Sequence, residues 1–175
     1  NAAAEGPGRA VLVEGEPGIG KSRLVSETVQ RVAAARELVV LSGRCRALGE
    51  VLPYAPLREA IGQLGSGLDH LDPARKVEIQ TGMFDVLESE EAVLGSLSAG
   101  LYEGPLSAAR PVVTGDEEPL MWPVGPEQVA GALSRLLAVI GAVVPVALIL
   151  EDLHWVDDGT RDVLARLVDT GLPHG

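Results

Sequence analysis

The sequence has few of the features that are typical of secreted, membrane or disulfide-rich proteins. Its single cysteine, Cys45, excludes an internal disulfide and a metal site built from several cysteines, and we interpret it as a small, half-buried apolar residue. The longest apolar run, residues 138–150, is interrupted by Gly141 and Pro145, so no membrane span is predicted. The first residues lack the basic and apolar parts of a secretion signal. These absences together predict a cytoplasmic protein.

Positive charge and aromatic residues are also scarce. The chain carries 14 Lys and Arg against 25 Asp and Glu, a net charge of -11, and its five aromatic residues offer few surfaces for stacking bases. A polyanionic backbone would be repelled, so we predict no direct binding of nucleic acid. The length of 175 residues fits one domain, and a hydrophobic content of 46% supports a core.

The stretch 15–22 reads GEPGIGKS and fits the phosphate-loop pattern G-x-x-x-x-G-K-[ST]. Its glycines allow the backbone N–H groups to wrap closely around a triphosphate, and Lys21 can reach the β- and γ-phosphates. Ser22 would place its hydroxyl on Mg²⁺. The alternative is a glycine-rich turn with a chance lysine. The predicted nucleotide-binding residues are Gly15, Glu16, Pro17, Gly18, Ile19, Gly20, Lys21, Ser22 and Arg23, and Lys21 is also a predicted catalytic residue.

Strand and helix patterns alternate around this loop. We expect a strand at 10–13 before the loop, a helix at 21–35 after it, and surface loops with one short helix, at 92–101, in a poorly ordered insertion at about 88–125. The fold class is therefore α/β, a three-layer P-loop NTPase core with a mainly parallel sheet. The other predicted elements are strands at 38–41 and 146–150, a glycine-rich turn at 65–71, and helices at 57–64, 72–87, 126–141 and 160–169.

A second motif ends the last predicted strand. Residues 146–152 read VALILED, an apolar strand followed by two acids, which is the Walker B pattern. Glu151 would hold Mg²⁺, and Asp152 would orient or deprotonate the attacking water. Taken alone, two such acids could equally cap a turn or lie in solvent. Because aspartate is the commoner magnesium partner and glutamate the commoner base, this reversed order predicts slow turnover.

Some residues near the motifs have two interpretations. Arg44, just past a predicted strand, either approaches the nucleotide or is solvated, and solvation is the favoured interpretation. His154 and Trp155 either sense the γ-phosphate and pack beneath the site, or form the entry to the last helix. Asp157 or Asp158 is expected to cap that helix.

Residues 13–24 and 150–157, with the Gly-Arg-Cys at 43–45 and the run 52–57, resemble the signal-transduction ATPases with numerous domains. The resemblance is greatest to the large ATP-binding LuxR-type regulators. It implies a switch in which bound ATP or ADP sets the arrangement of neighbouring domains, with self-association as a further expected contact. It also implies a sensor strand between the two motif strands. Since no such strand is found, we expect residues 1–175 to be the N-terminal part of an ATPase domain with a gap in its sheet.

Two other functions remain open from the sequence. A small-molecule phosphotransferase would use the same loop and acids with an acceptor hydroxyl in place of water. A nucleotide-independent interaction module would carry vestigial motifs. For these 175 residues alone we expect weak or absent ATP hydrolysis.

Overall fold

The computed structural model describes residues 8–47, 52–98 and 124–169. Within these ranges the chain forms seven α-helices, two strands and a short 3₁₀ helix. In chain order they are α1 (Lys21–Ala35), β1 (Val39–Arg44), α2 (Ala55–Gly62), α3 (Leu64–Leu68), α4 (Pro73–Ser89), α5 (Glu91–Leu97), α6 (Pro126–Gly141), β2 (Val146–Glu151), the 3₁₀ helix (Leu153–Trp155) and α7 (Asp158–Asp169).

The two strands form a parallel pair, as the sequence predicts for residues 38–41 and 146–150. The register runs from Val39 opposite Val146 to Arg44 opposite Glu151. Parallel register brings the carboxyl ends of both strands to one edge of the sheet, so whatever follows one strand lies beside whatever follows the other.

The outer edge of β1 is closed by a side chain rather than by a third strand. The amide of Gln63, at the end of α2, donates to the carbonyl of Ser42 at 2.9 Å and accepts from the Ser42 hydroxyl at 2.9 Å. This pairing satisfies strand groups that would otherwise face water or another chain. It also fixes α2 against the sheet.

The core is built from helices α2 to α7 around α6, which packs against α4, α5 and α7. The predicted helix at 126–141 is confirmed with the same bounds, and the one predicted at 72–87 forms as α4, capped by the Asp72 carboxylate, which accepts the Ala74 N–H at 2.9 Å. The largest fully buried side chains are Leu41, Leu57, Ile61, Leu64, Leu68, Ile79, Met83, Leu87, Leu94, Leu133, Leu136 and Ile140.

The predicted strand at 10–13 is wrong in this structure. Residues 8–16 have no regular secondary structure, and the side chains of Val11 and Leu12 are 84% and 66% exposed. Their apolar run has no neighbour to pair with, because the sheet of the described residues contains only β1 and β2. A strand without a neighbour leaves its backbone groups unpaired, so apolar sequence alone does not make one.

The three-layer arrangement is present in part. Helix α1 forms where it was predicted, but none of its residues is buried. The layer that α1 was expected to complete is therefore not closely packed. The predicted turn at 65–71 contains the short helix α3. Within the predicted insertion, α4 ends at Ser89 and is followed by α5, which buries Val93, Leu94 and Leu97. Residues 99–123 lie outside the described residues. No helix in the described ranges is both long and apolar enough to span a membrane.

Candidate functional site

The loop between residue 14 and α1 turns on two glycines. Gly18 and Gly20 have φ of 81° and 102°, which residues with a side chain rarely adopt. A Cβ on either glycine would meet no atom within 4 Å, so glycine is needed here for its backbone angles and not for space. Gly20 directly precedes α1, and its carbonyl accepts the Leu24 N–H at 2.9 Å. The helix therefore begins at Lys21 with its first N–H groups directed at the loop.

Lys21 is folded back over the loop. Its Nζ donates to the carbonyl oxygens of Gly15 at 2.9 Å and Glu16 at 3.0 Å, and both bonds are exposed. These carbonyls are neutral acceptors, so an anionic oxygen arriving at the loop would be a stronger partner for the ammonium. The phosphate contact of Lys21 stays a prediction.

Two other predicted binding residues make different contacts. Arg23 pairs with Glu27 one turn further along α1, with Nε 2.7 Å from Oε1, and its side chain is 84% exposed. Ile19 is 71% exposed, and its Cγ2 lies 3.2 Å from the position that a Cβ on Gly15 would take, so this side chain lies against the loop.

The acidic pair lies at the carboxyl end of β2. Glu151 is the last residue of the strand, and Asp152 has a left-handed backbone, with φ 57° and ψ 43°, which turns the chain into the 3₁₀ helix. The chain turns sharply away from the strand at Asp152, and the Asp152 side chain is half exposed. A non-glycine residue rarely adopts this conformation, and it occurs here directly beside the predicted site.

Ser22 and Glu151 are brought together although they are far apart in the sequence. Ser22 lies near the Glu151 carboxylate and helps to lower its pKa, although less than Arg44 does. Both predicted magnesium ligands are thus on the same side of the molecule, where the loop and the end of β2 come near each other.

Arg44 is the residue whose role the sequence missed. Its guanidinium donates to Oε2 of Glu151 through Nε at 3.1 Å and also through Nη2, and Nε lies 3.7 Å from Oδ2 of Asp152. The hydrogen bond from Arg44 is the main reason why the pKa of Glu151 lies below its ordinary value. The Arg44 side chain is half exposed, as expected of a solvated arginine, but it is also paired with the acids. The signal that could have revealed this pairing is position, since Arg44 and Glu151 end two paired parallel strands.

Residues after the acidic pair fix the neighbouring elements. The Asp157 carboxylate accepts the Thr160 N–H at 2.9 Å and the Thr160 hydroxyl at 2.6 Å, which confirms Asp157 as the cap of α7. The same carboxylate accepts the Tyr54 N–H at 3.5 Å, which links α7 to the start of α2. The rings of His154 and Trp155 lie 5.1 Å apart at 48°, and the γ-phosphate sensing considered for them stays a prediction.

Cys45 lies beside the acidic pair and is buried. Its N–H donates to the Glu151 carbonyl at 2.9 Å, which extends the strand pairing by one residue. Burial, together with the charges of Asp157 and Asp152, raises the pKa of its thiol. Cys45 is therefore a buried packing residue, more buried than the half-buried position that the sequence predicts.

Comparison with known proteins shows the family. Residues 1–173 match the family model described as AAA ATPase domain, so the chain belongs to the AAA ATPase domain family. The chain is also 26% identical over 161 residues to an uncharacterized protein of Rhizobium meliloti (strain 1021). That match covers 92% of the chain but only 15% of the relative. No solved structure matches the chain. Family membership indicates nucleotide binding and hydrolysis as the class of function.

Proposed function

We propose that this AAA ATPase domain binds ATP with magnesium at residues 15–23, Glu151 and Asp152, and hydrolyses it slowly. The observation that supports this most is the geometry of the loop, because Gly18 and Gly20 turn the chain into α1 and the Lys21 Nζ lies over the loop, 2.9 Å from the Gly15 carbonyl oxygen. Ser22, which follows Lys21, lies near enough to Glu151 to help lower its pKa.

The phosphate side of the site would be formed by the loop and α1. Backbone N–H groups of the loop and the first turn of α1 would face the phosphates, where a helix N-terminus favours negative charge. Lys21 would exchange its bonds to Gly15 and Glu16 for phosphate oxygens. The chain's net charge of -11 makes these few favourable contacts more important for attracting a polyanion.

The magnesium side would be formed by Ser22 and Glu151. A hydroxyl and a carboxylate suit a cation that prefers oxygen ligands and keeps several waters, and a bound nucleotide supplies the rest. In the described ranges no three His, Cys, Asp or Glu side chains cluster as a metal site. The lowered pKa of Glu151 keeps it ionised for this role. The ion would neutralise charge on the phosphates.

Asp152 would orient or deprotonate the attacking water. It is the shorter acid of the pair, and its carboxylate lies 3.7 Å from Nε of Arg44, which attracts it. A short carboxylate held in this way aligns water poorly, so we expect a kcat below several per second.

This ATPase would act as a nucleotide-dependent switch in a cytoplasmic, multidomain transcription regulator. The support is the resemblance of residues 13–24 and 150–157 to regulators of that kind, and the fact that the chain spans 15% of a much longer relative. Bound ATP or ADP would set contacts with other domains or with a second copy. No direct contact with nucleic acid or membrane by this part is proposed.

Binding of ATP tests the proposal, with the two lysines of the chain as a matched pair. In calorimetry with Mg²⁺ present, Lys21→Ala should weaken ATP binding by about 10- to 100-fold, because charged hydrogen bonds contribute roughly 1.5–3 kcal/mol. Lys76→Ala removes the same charge from α4, where Nζ pairs with Asp69, and should bind as the wild type does. Equal binding by all three proteins, or none by the wild type, would contradict the proposal.

A further inference from the structure

The Arg44 guanidinium occupies one oxygen of the carboxylate that the proposed magnesium site needs. Both of its hydrogen bonds go to Oε2 of Glu151, and its Nε lies 3.7 Å from Asp152. Ser22 also lies near the Glu151 carboxylate. A guanidinium and a divalent cation cannot both lie against this carboxylate without strong repulsion between their charges.

The geometry holds Arg44 in this place through its backbone. Its Cα pairs with that of Glu151 in the parallel register, and its N–H donates to Oε2 of Glu59 on α2 at 3.3 Å. Only the side chain is free to move, and it is about half exposed. Movement of the guanidinium therefore needs no change in the sheet.

A second acceptor is available to Arg44 if it leaves the acidic pair. The Glu59 carboxylate lies beside the Arg44 backbone and contributes to the raised pKa of Arg44, after Glu151 and Asp152. Its other partner is exposed Arg46, whose Nη2 is 3.6 Å from Oε2. The displaced guanidinium would thus still have a carboxylate next to it, which lowers the cost of its release.

From these contacts we infer that Arg44 is a positioning residue that competes with magnesium for Glu151. This inference rests on the proposed binding of magnesium and ATP at this site. In the free chain Arg44 neutralises and orders the acidic pair. Magnesium must displace it, so the affinity that magnesium adds to ATP binding is reduced by the cost of that displacement. ATP without magnesium instead benefits from the positive charge of Arg44 near its phosphates.

The measurement is the dissociation constant of ATP, in excess Mg²⁺ and in EDTA, for the full chain and three variants. The ratio of the constant in EDTA to that in Mg²⁺ should rise about tenfold in Arg44→Gln, since a competing cation is lost. Arg44→Lys keeps a charge without the planar fork and should give an intermediate ratio. Arg75→Gln removes the same charge from α4, where Nη1 pairs with Glu37 at 2.6 Å, and should keep the wild-type ratio.

The outcomes separate this inference from the proposed function. If wild type and Arg44→Gln bind ATP with ratios equal within about twofold, Arg44 does not compete with magnesium, and the proposed function stands without it. A rise in Arg75→Gln as large as in Arg44→Gln would also overturn the inference, because the effect would then be one of general surface charge. If the wild type binds ATP under neither condition, the proposed function itself is wrong.

Discussion

Gly43→Ala should destabilise the protein through one close approach between β1 and α2. A Cβ built on Gly43 would lie 1.9 Å from the carbonyl oxygen of Pro56 and 2.7 Å from its carbonyl carbon. Both atoms belong to backbone in the first turn of α2, so no side chain can rotate away. The turn itself would have to move.

The magnitude follows from that distance. A carbon and a carbonyl oxygen in contact are ordinarily about 3.3 Å apart or more, so the turn must shift by over ~1 Å. This turn buries Pro56 and Leu57 against the core, and Tyr54 just before it is bonded to Asp157. Overpacking typically costs ~1–3 kcal/mol, and a backbone clash belongs at the upper end, so we expect a loss of about 3 kcal/mol.

Urea unfolding followed by circular dichroism measures this loss, with Gly65→Ala as the matched control. Gly65 lies in α3, and a Cβ there meets nothing within 4 Å. Alanine should therefore stabilise the helix by roughly 0.5–1 kcal/mol. If Gly43→Ala unfolds with the wild-type free energy to within about 0.5 kcal/mol, the packing of α2 on β1 described above is wrong.

Three further predictions concern residues around the acidic pair. Asp157→Ala should lower the free energy of unfolding by ~1 kcal/mol through loss of the α7 cap, whereas Asp158→Ala, at an exposed position, should cost less in the same urea assay. Because the pKa of Glu151 is lower folded than unfolded, its carboxylate stabilises the fold above the ordinary value of 4.5, and this stabilisation is lost as pH falls through the folded value. Below about pH 4.5 the free energy of unfolding should therefore fall less steeply with pH for Glu151→Gln than for the wild type. Parallel curves for the two proteins would contradict the ion pair. Cys45 should react slowly with a thiol reagent at pH 8 and rapidly in urea, and fast reaction of the folded chain would show that it is not buried.

Helices and paired strands were predictable where a local pattern and a tertiary partner agree. The helix at 126–141 has both, since its apolar face meets α4, α5 and α7. The strand at 10–13 has the pattern without the partner, and the apolar run stays exposed. A sequence pattern shows which face of an element is apolar. It does not show whether another element packs against that face.

The candidate site was predictable residue by residue but not as a set of contacts. The loop spacing pointed to Lys21 and Ser22, and the end of the apolar strand pointed to Glu151 and Asp152. The contact of Arg44 with Glu151 depends on strand register, which fixes which residues lie opposite each other across the sheet. Register is a property of two distant segments, so no single stretch of sequence contains it.

The proposed site requires that the loop and the acidic pair act on one bound nucleotide. Its most direct test is a double-mutant cycle with Ser22→Ala and Glu151→Gln, reading the dissociation constant of ATP in Mg²⁺ by calorimetry. If both side chains hold the same ion, the second substitution should cost little after the first, so the double variant should bind about as weakly as the worse single one. If the two losses simply add, the residues act independently, and the single magnesium nucleotide site proposed here is contradicted.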